Sequence, residues 1–203
     1  MKSAARNKSL ETAVIGMLSA IAFVLEVQSI SLPFLPTFLK LDISDLPALI
    51  GAMVIGPVQG VLVCLIKNLF HLLCTTTGGV GEFCNFLLGA VFVGITGSLY
   101  KRIGGRKAAI TGGVIAAIIV SLLSVVLNYY LVYPVYMEVM GIPEDVILAM
   151  YQVLDPDIKS LQEALLKVNM PFTFLKEIFS VLLVFFLYKR MIPLLRRIIL
   201  NKT

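Results

Sequence analysis

Charged residues are scarce in this chain: they make up 14% of its 203 residues, whereas hydrophobic residues make up 59%. A soluble domain typically has about 25% charged residues. The apolar residues gather into runs long enough to cross a bilayer, which takes roughly 20 residues. The composition therefore argues against an ordinary soluble domain. It predicts an integral membrane protein built from helices, because lipid cannot satisfy free backbone groups.

Common catalytic and metal-binding motifs are also missing. The sequence has no GxxxxGKS/T phosphate-binding loop, no HExxH pair, no Ser-His-Asp set and no acidic metal motif. Its three cysteines, Cys64, Cys74 and Cys84, lack the spacing of a metal site. They favour a role as small apolar side chains, with a Cys74–Cys84 bridge as the alternative. We therefore expect no metal and no enzymatic activity of the chain itself.

Six apolar segments are predicted to form membrane helices, at residues 10–30, 46–55, 57–73, 83–100, 108–130 and 172–188. The second would be only about 15 Å long, half of the hydrocarbon thickness. Fusing it with the third across Gly56-Pro57 would leave five spans. Alternatively, the chain breaks at that dipeptide and the second helix stays short.

The distribution of charge favours six helices over five. Basic residues cluster in the N-terminal arm, at 101–107 and in the tail from 189, whereas the connection 131–171 is acidic. Basic loops stay cytoplasmic, and only six helices put all three basic clusters on that side. The predicted fold is a single all-α membrane domain over residues 1–203, with a short or broken second helix. Both termini are cytoplasmic, and the acidic connection lies outside.

Glu82 and Asn85 stand near the start of the fourth span, three residues apart and therefore on one helical face. One interpretation is a solvated first turn, where the helix dipole favours an acid. The other is a pair of hydrogen-bonding groups that face a ligand inside the bundle. Polar groups within a membrane usually face a cavity or a partner, which favours the second interpretation.

Thr173 and Lys176 repeat this spacing at the outer end of the last span. Glu177 follows directly, so a local salt bridge or a snorkelling lysine is the alternative to ligand binding.

Asn128 lies inside the fifth apolar run, next to Tyr129 and other tyrosines. A tyrosine cluster at a membrane boundary is by default an aromatic belt. A buried amide beside aromatic rings also suits a flat heteroaromatic ligand, which needs apolar walls and directional groups at its edge.

The segment before the second helix is too apolar for a solvated loop, since Phe38, Leu39 and Leu41 flank Lys40. We expect it to close over a pocket as a gate. In the first span, Thr12, Gly16 and Ala20 form a stripe of small residues. Such a stripe lets another transmembrane helix approach closely, either within the chain or from another membrane protein.

The stretch FLKLDISDLPALIGAMVIGPVQGVLVCLIKNLFHLL, followed by TTTGGVGEFCNFLLG and NYYLVYP, resembles the riboflavin-specific S components (RibU type) of energy-coupling factor (ECF) transporters. The resemblance runs from about residue 12 to 188 and is strongest at 38–90. It implies a six-helix subunit that captures riboflavin from outside. A transmembrane T component and two ATPase subunits would be its partners. Riboflavin is the cargo, so no cofactor is expected.

The resemblance also implies roles for individual residues. One implied role is contact of the stripe Thr12, Gly16 and Ala20 with the T component. The implied ligand contacts lie in the first outer loop and helices four to six, at Leu39, Lys40, Glu82, Asn85, Asn128, Thr173 and Lys176. Tyr129 joins them as an aromatic neighbour. The family pattern Asn-x-x-Lys in the last helix reads Thr173-x-x-Lys176 here, so the lysine matches and the asparagine does not.

The sequence thus predicts a riboflavin-binding transport subunit in the cell membrane, with its binding site facing outside. Two alternatives stay open. One is an S component for another vitamin, such as thiamine or biotin. The other is a stand-alone, proton-driven secondary transporter that uses Glu82, Lys67 and His71 as proton carriers.

Overall fold

The computed structural model describes residues 2–31, 35–36 and 39–200, so Phe38 and the tail beyond residue 200 lie outside the described residues. The elements are α1 (Lys2–Val27), β1 (Ile30–Ser31), β2 (Lys40–Leu41), α2 (Asp45–Val54), α3 (Pro57–His71), α4 (Val80–Ile103), α5 (Gly105–Leu127), α6 (Tyr133–Glu138), α7 (Glu144–Gln152), α8 (Leu161–Ala164) and α9 (Met170–Leu200). A 3₁₀ turn, Leu72–Cys74, follows α3. One π-helical turn, Asn128–Val132, joins α5 to α6, and another, Leu165–Asn169, joins α8 to α9.

Five helical stretches in the described part of the chain are long and apolar enough to cross a membrane. They are Lys8–Val27, Pro57–Cys74, Val80–Ile103, Gly105–Glu138 and Leu161–Leu195. Helix α2 is also apolar but shorter, and together with these five stretches it makes six apolar helical segments. The prediction of an all-helical membrane protein with a short second helix is confirmed. The β1–β2 pair adds only two residues on each strand, with Ile30 opposite Leu41.

Helix α2 is the centre of the bundle. All of its residues are buried, and it packs against α1, α3, α4 and α9. Because these helices surround it, the backbone groups freed at the break before Pro57 are shielded from lipid. The close packing depends on glycine: a Cβ on Gly60 would lie 2.6 Å from both Ala52 Cβ and Val93 Cγ1.

The fifth and last spans are longer than the sequence predicts. Helix α5 continues through its π turn and α6 to Glu138, and the last span begins at Leu161 rather than at 172. The connection between them is therefore 139–160 instead of 131–171. The helix tolerates polar residues here because they lie on its exposed face, where Lys167 Nζ is 2.8 Å from Glu163 Oε1.

Helix α7, within this connection, packs on one end of the bundle. Its Ile147 and Tyr151 are buried in an apolar cluster with Tyr133 and Leu165. The Tyr151 hydroxyl is hydrogen-bonded to the Tyr133 hydroxyl and donates to Asn169 Oδ1 at 2.6 Å. These contacts fix α7 beside both π turns.

Candidate functional site

A cavity of about 550 Å³ opens at the end of the bundle where the C-terminal end of α1, the segment 39–42, the start of α4, both π turns and the start of α9 meet. Its apolar walls come from Leu39, Leu88, Val132, Tyr136, Met140, Ile142 and Phe172. Amide, hydroxyl and charged side chains lie between these walls. This mixture of apolar walls and a few polar groups is typical of small-molecule sites.

Seven of the eight ligand residues expected from the sequence line the cavity: Leu39, Lys40, Glu82, Asn85, Asn128, Thr173 and Lys176. Tyr129 does not. Its ring packs edge-on against Tyr130, with centroids 4.9 Å apart, and it belongs to the partly buried shell around the α7 cluster. The difference arises because Tyr129 directly follows Asn128, and adjacent residues of a helical turn do not face the same side.

Lys176 links the last helix to the segment before α2. Its Nζ lies 2.9 Å from Asp42 Oδ2, and Asp42 Oδ1 accepts a hydrogen bond from the Ser44 backbone at 2.9 Å. Burial of the Asp42 carboxyl raises its pKa, but the ammonium groups of Lys176 and Lys67 and the Ser44 hydrogen bond outweigh burial and hold the pKa below its ordinary value. The alternative of a local Lys176–Glu177 salt bridge is not realised, since Lys176 pairs with Asp42. Successive helical residues point in different directions, and Asp42 lies on the side of Lys176.

Lys67 is fully buried beneath this pair. Its Nζ donates to Ser44 Oγ at 2.5 Å and to Asp45 Oδ1 at 2.9 Å. Glu26 Oε2 lies 3.9 Å away. Lys67 does not line the cavity; it holds α1, α2 and α3 together below it.

Glu82 is held by the loop before its own helix. Its Oε2 accepts hydrogen bonds from the Thr75 and Thr77 hydroxyls, both at 2.9 Å, and His71 Nδ1 donates to Oε1 at 3.0 Å. Gly79 turns the chain into α4 with φ +89°. The carboxylate therefore positions the loop, whose Thr76 and Thr77 line the cavity.

The three amides at the cavity have different hydrogen-bond partners. Asn85 Nδ2 donates to Glu26 Oε1 at 2.6 Å and to Asn68 Oδ1 at 3.2 Å. Asn128 Nδ2 donates to the Ser124 carbonyl at 2.7 Å, which leaves its amide oxygen for the cavity. Asn169, at the end of the second π turn, accepts from Tyr151 and lines the cavity one helical turn before Thr173.

Sequence reasoning missed several polar residues of the cavity, among them Glu26, Asn169 and Glu177. An acid within an apolar span is itself a signal, because it needs a partner there. Glu26 and Glu177 carry that signal. Asn169 lies in the connection that was expected outside the bundle, so nothing in the sequence placed it at the site.

The small-residue stripe faces away from the bundle. Thr12, Gly16 and Ala20 are all exposed along α1. Among the described residues, nothing lies within 4 Å of a Cβ built on Gly16. This face therefore has room for a helix of another protein, and packing against the described part of the chain does not account for it.

The cysteines are free: Cys64 and Cys84 are buried, and Cys74 is exposed. Cys84 lines the cavity, while Cys74 lies in the turn after α3. The alternative of a Cys74–Cys84 bridge is not realised.

Comparison with known proteins identifies the family to which this chain is similar. The family described as ECF transporter, substrate-specific component, matches residues 10–188. The riboflavin transporter RibU of Staphylococcus aureus (strain TCH60) is 36% identical over 193 residues, which is 95% of each chain. The riboflavin transporter FmnP of Bacillus subtilis (strain 168) is 36% identical over 126 residues, which is 61% of this chain and 66% of that protein.

A solved structure of the S component of a bacterial ECF transporter has the same fold. It superimposes with a TM-score of 0.72 at 34% identity, and the match covers 94% of this chain and 99% of that one. The family match and the shared fold show that this chain belongs to the substrate-specific components of ECF transporters, multi-pass membrane subunits that bind a substrate for transport and are not enzymes.

Proposed function

We propose that this chain binds riboflavin outside the cell and delivers it through an ATP-driven ECF importer. The observation that carries the proposal is the cavity of about 550 Å³, which lies within the range of about 300–1,000 Å³ usual for ligand pockets. Its apolar walls suit a flat ring system, and its amides and Lys176 suit the polar edge of that ring. The names of the relatives RibU and FmnP support riboflavin as the ligand.

The polar edge of the ring requires both donors and acceptors. Asn128 offers its amide oxygen, Lys176 offers an ammonium group and Thr173 offers a hydroxyl. Thr173 replaces the asparagine of the family pattern, but Asn169 supplies an amide one turn earlier on the same wall. Leu39 and Lys40 close the cavity from the side of the β1–β2 pair.

The charge distribution supports an outward-facing site. In α4 and α9 the cavity residues lie near the N-terminal end, and the basic residues lie near the C-terminal end. Helix α5 runs the opposite way, with Arg106 and Lys107 at its start and Asn128 just beyond its end. Since basic segments stay cytoplasmic, the cavity faces outside.

Membership of the family implies partnership with an ECF module. The further proposal is that Thr12, Gly16 and Ala20 contact its transmembrane T component, and that two ATPase subunits drive transport. Support comes from the exposed stripe, since small residues allow close helix contact. Uptake in cells that lack the module would instead indicate a stand-alone transporter.

The absorption spectrum of the purified chain tests the ligand directly, because a bound flavin is yellow. Chain stripped of ligand is then titrated with riboflavin, thiamine and biotin, with flavin fluorescence quenching as one readout and calorimetry as the other. We expect saturable one-to-one binding of riboflavin alone. Binding of thiamine or biotin without riboflavin would keep the family and replace the ligand.

A further inference from the structure

Asp42 lines the cavity, but both of its carboxylate oxygens are engaged within the protein. Its Oδ2 lies 2.9 Å from Lys176 Nζ, and its Oδ1 accepts hydrogen bonds from the backbone N–H and the hydroxyl of Ser44. Only 7% of its side chain is exposed. A carboxylate with these partners is poorly placed to receive a ligand, so it affects binding through the groups that it holds.

Lys176 has hydrogen-bond donors to spare. Its side chain is 11% exposed and lines the cavity one helical turn after Thr173. An ammonium group has three N–H donors, and Asp42 is the one acceptor that the described residues offer to Nζ. Two hydrogens of the ammonium group are therefore left for acceptors on a ligand.

The ion pair fixes a side chain that is otherwise flexible. Lysine carries its charge on a stem of four carbons, and holding that stem in one conformation costs conformational entropy. Because Asp42 holds the Lys176 ammonium before a ligand arrives, that cost does not fall on the binding step. A preorganised group of this kind raises affinity without adding a contact.

Asp42 is itself anchored to the centre of the bundle. The Ser44 hydroxyl that donates to Asp42 also accepts a hydrogen bond from Lys67 Nζ. Lys67 is fully buried and is bonded at 2.9 Å to Asp45, in the first turn of α2. A continuous chain of hydrogen bonds thus runs from α2 and α3 through Asp42 to the wall of the cavity.

We infer that Asp42 is a positioning residue for ligand recognition: it holds the Lys176 ammonium where its two remaining hydrogens meet acceptor atoms at the edge of the ligand. This inference rests on the proposed function, because the ring of riboflavin carries carbonyl oxygens and ring nitrogens as acceptors along its polar edge. Since Asp42 does not touch the ligand, its effect on affinity exists only while Lys176 is present. That dependence distinguishes positioning from a general contribution to stability.

A double-mutant cycle with riboflavin tests the dependence. Dissociation constants are measured by flavin fluorescence quenching for the wild type, Asp42→Asn, Lys176→Met and the double variant. Because hydrogen bonds from a charged group are strong, we expect Asp42→Asn to bind about tenfold more weakly and Lys176→Met to lose at least as much. The double variant should bind no more weakly than Lys176→Met alone. Asp157→Asn, at an exposed position outside the cavity, is the matched control and should stay within about twofold of the wild type.

The titrations are made below the melting temperature of every variant, and the final quenching amplitude measures the fraction of chains that bind. A weaker dissociation constant at full amplitude then reports recognition and not unfolding. Wild-type affinity in Asp42→Asn, or two losses that multiply in the double variant, would overturn the positioning role. Unchanged affinity of Lys176→Met would overturn it as well while leaving the proposed function intact. A wild type that binds no riboflavin refutes the proposed function instead.

Discussion

Charged side chains inside this bundle are paired across helices that are distant in sequence. Lys176 and Asp42 are separated by 134 positions, and Lys67 and Asp45 by 22, yet both pairs meet at 2.9 Å. A buried ion pair does not by itself make a protein more stable, but removing one partner leaves the other charge buried and unpaired in a low-dielectric interior. A substitution that removes one partner should therefore cost more stability than the intact pair contributes.

Replacing Lys67 by methionine should destabilise the fold by about 3–5 kcal/mol. Asp45 would lose its ammonium partner while it stays buried, and so would Glu26. Thermal unfolding in detergent measures the change, and Lys159→Met is the control because that residue is exposed. A stability equal to that of the control would mean that Lys67 does not hold the three helices together.

The ionised carboxylate of Asp42 should stabilise the folded state, and this contribution should be lost only in acid. Its pKa in the folded state is lowered, so its contribution is complete above its ordinary value of 3.8 and disappears as the pH falls through the lower folded pKa. The difference in melting temperature between wild type and Asp42→Asn should stay constant from about pH 8 to about pH 5 and shrink below the ordinary value. A difference that shrinks already near neutral pH would show that the pKa is not lowered.

At the scale of elements, glycine decides how closely the helices approach. The short helix α2 fits inside the bundle because Gly60 on α3 and Gly97 on α4 leave room for Ala52. The π turns have a different effect: each contains an asparagine that lines the cavity, Asn128 at the start of one and Asn169 at the end of the other. Close packing and these local irregularities together position the site.

Gly60→Ala should destabilise the bundle by about 1–3 kcal/mol, because the new methyl group would overlap neighbouring side chains and the Ala48 carbonyl. Gly94→Ala is the matched control: it adds the same group to a membrane helix, and the nearest atom is 3.8 Å away. Melting temperatures in detergent compare the two. If both variants melted alike, the close contact at Gly60 would not limit the packing of α2.

The whole molecule presents two separate candidate surfaces, one proposed for ligand binding and one for docking. The cavity lies at one end of the bundle, and the small-residue stripe runs along the outside of α1. Since the stripe residues do not line the cavity, a change in one surface should leave the other intact.

Gly16→Phe should therefore leave riboflavin affinity within about twofold of the wild type and reduce uptake by tenfold or more, because the bulky ring keeps another helix away. Thr111→Phe, which places the same ring on an exposed position of α5, should leave both measurements unchanged. Binding is measured with the purified chain and uptake in cells that carry the ECF module. Full uptake by Gly16→Phe would exclude the stripe as the docking surface.

The sequence by itself determined the membrane class, the short second helix and seven of the residues that line the cavity. Hydrophobic runs of that length have few other stable forms in lipid, and polar residues at the ends of spans mark where a ligand can be held. Residues such as Asn128 and Thr173 could therefore be predicted from their position alone.

Only the tertiary structure decided what each polar group does. Glu82 binds its own loop, Lys176 pairs with Asp42 rather than with the adjacent Glu177, and Tyr129 turns away from the cavity. Periodicity predicts the face of a helix on which a side chain lies, but not which group from another helix it meets. That depends on how the helices pack around α2 and on two π turns, which no pattern in the sequence reveals.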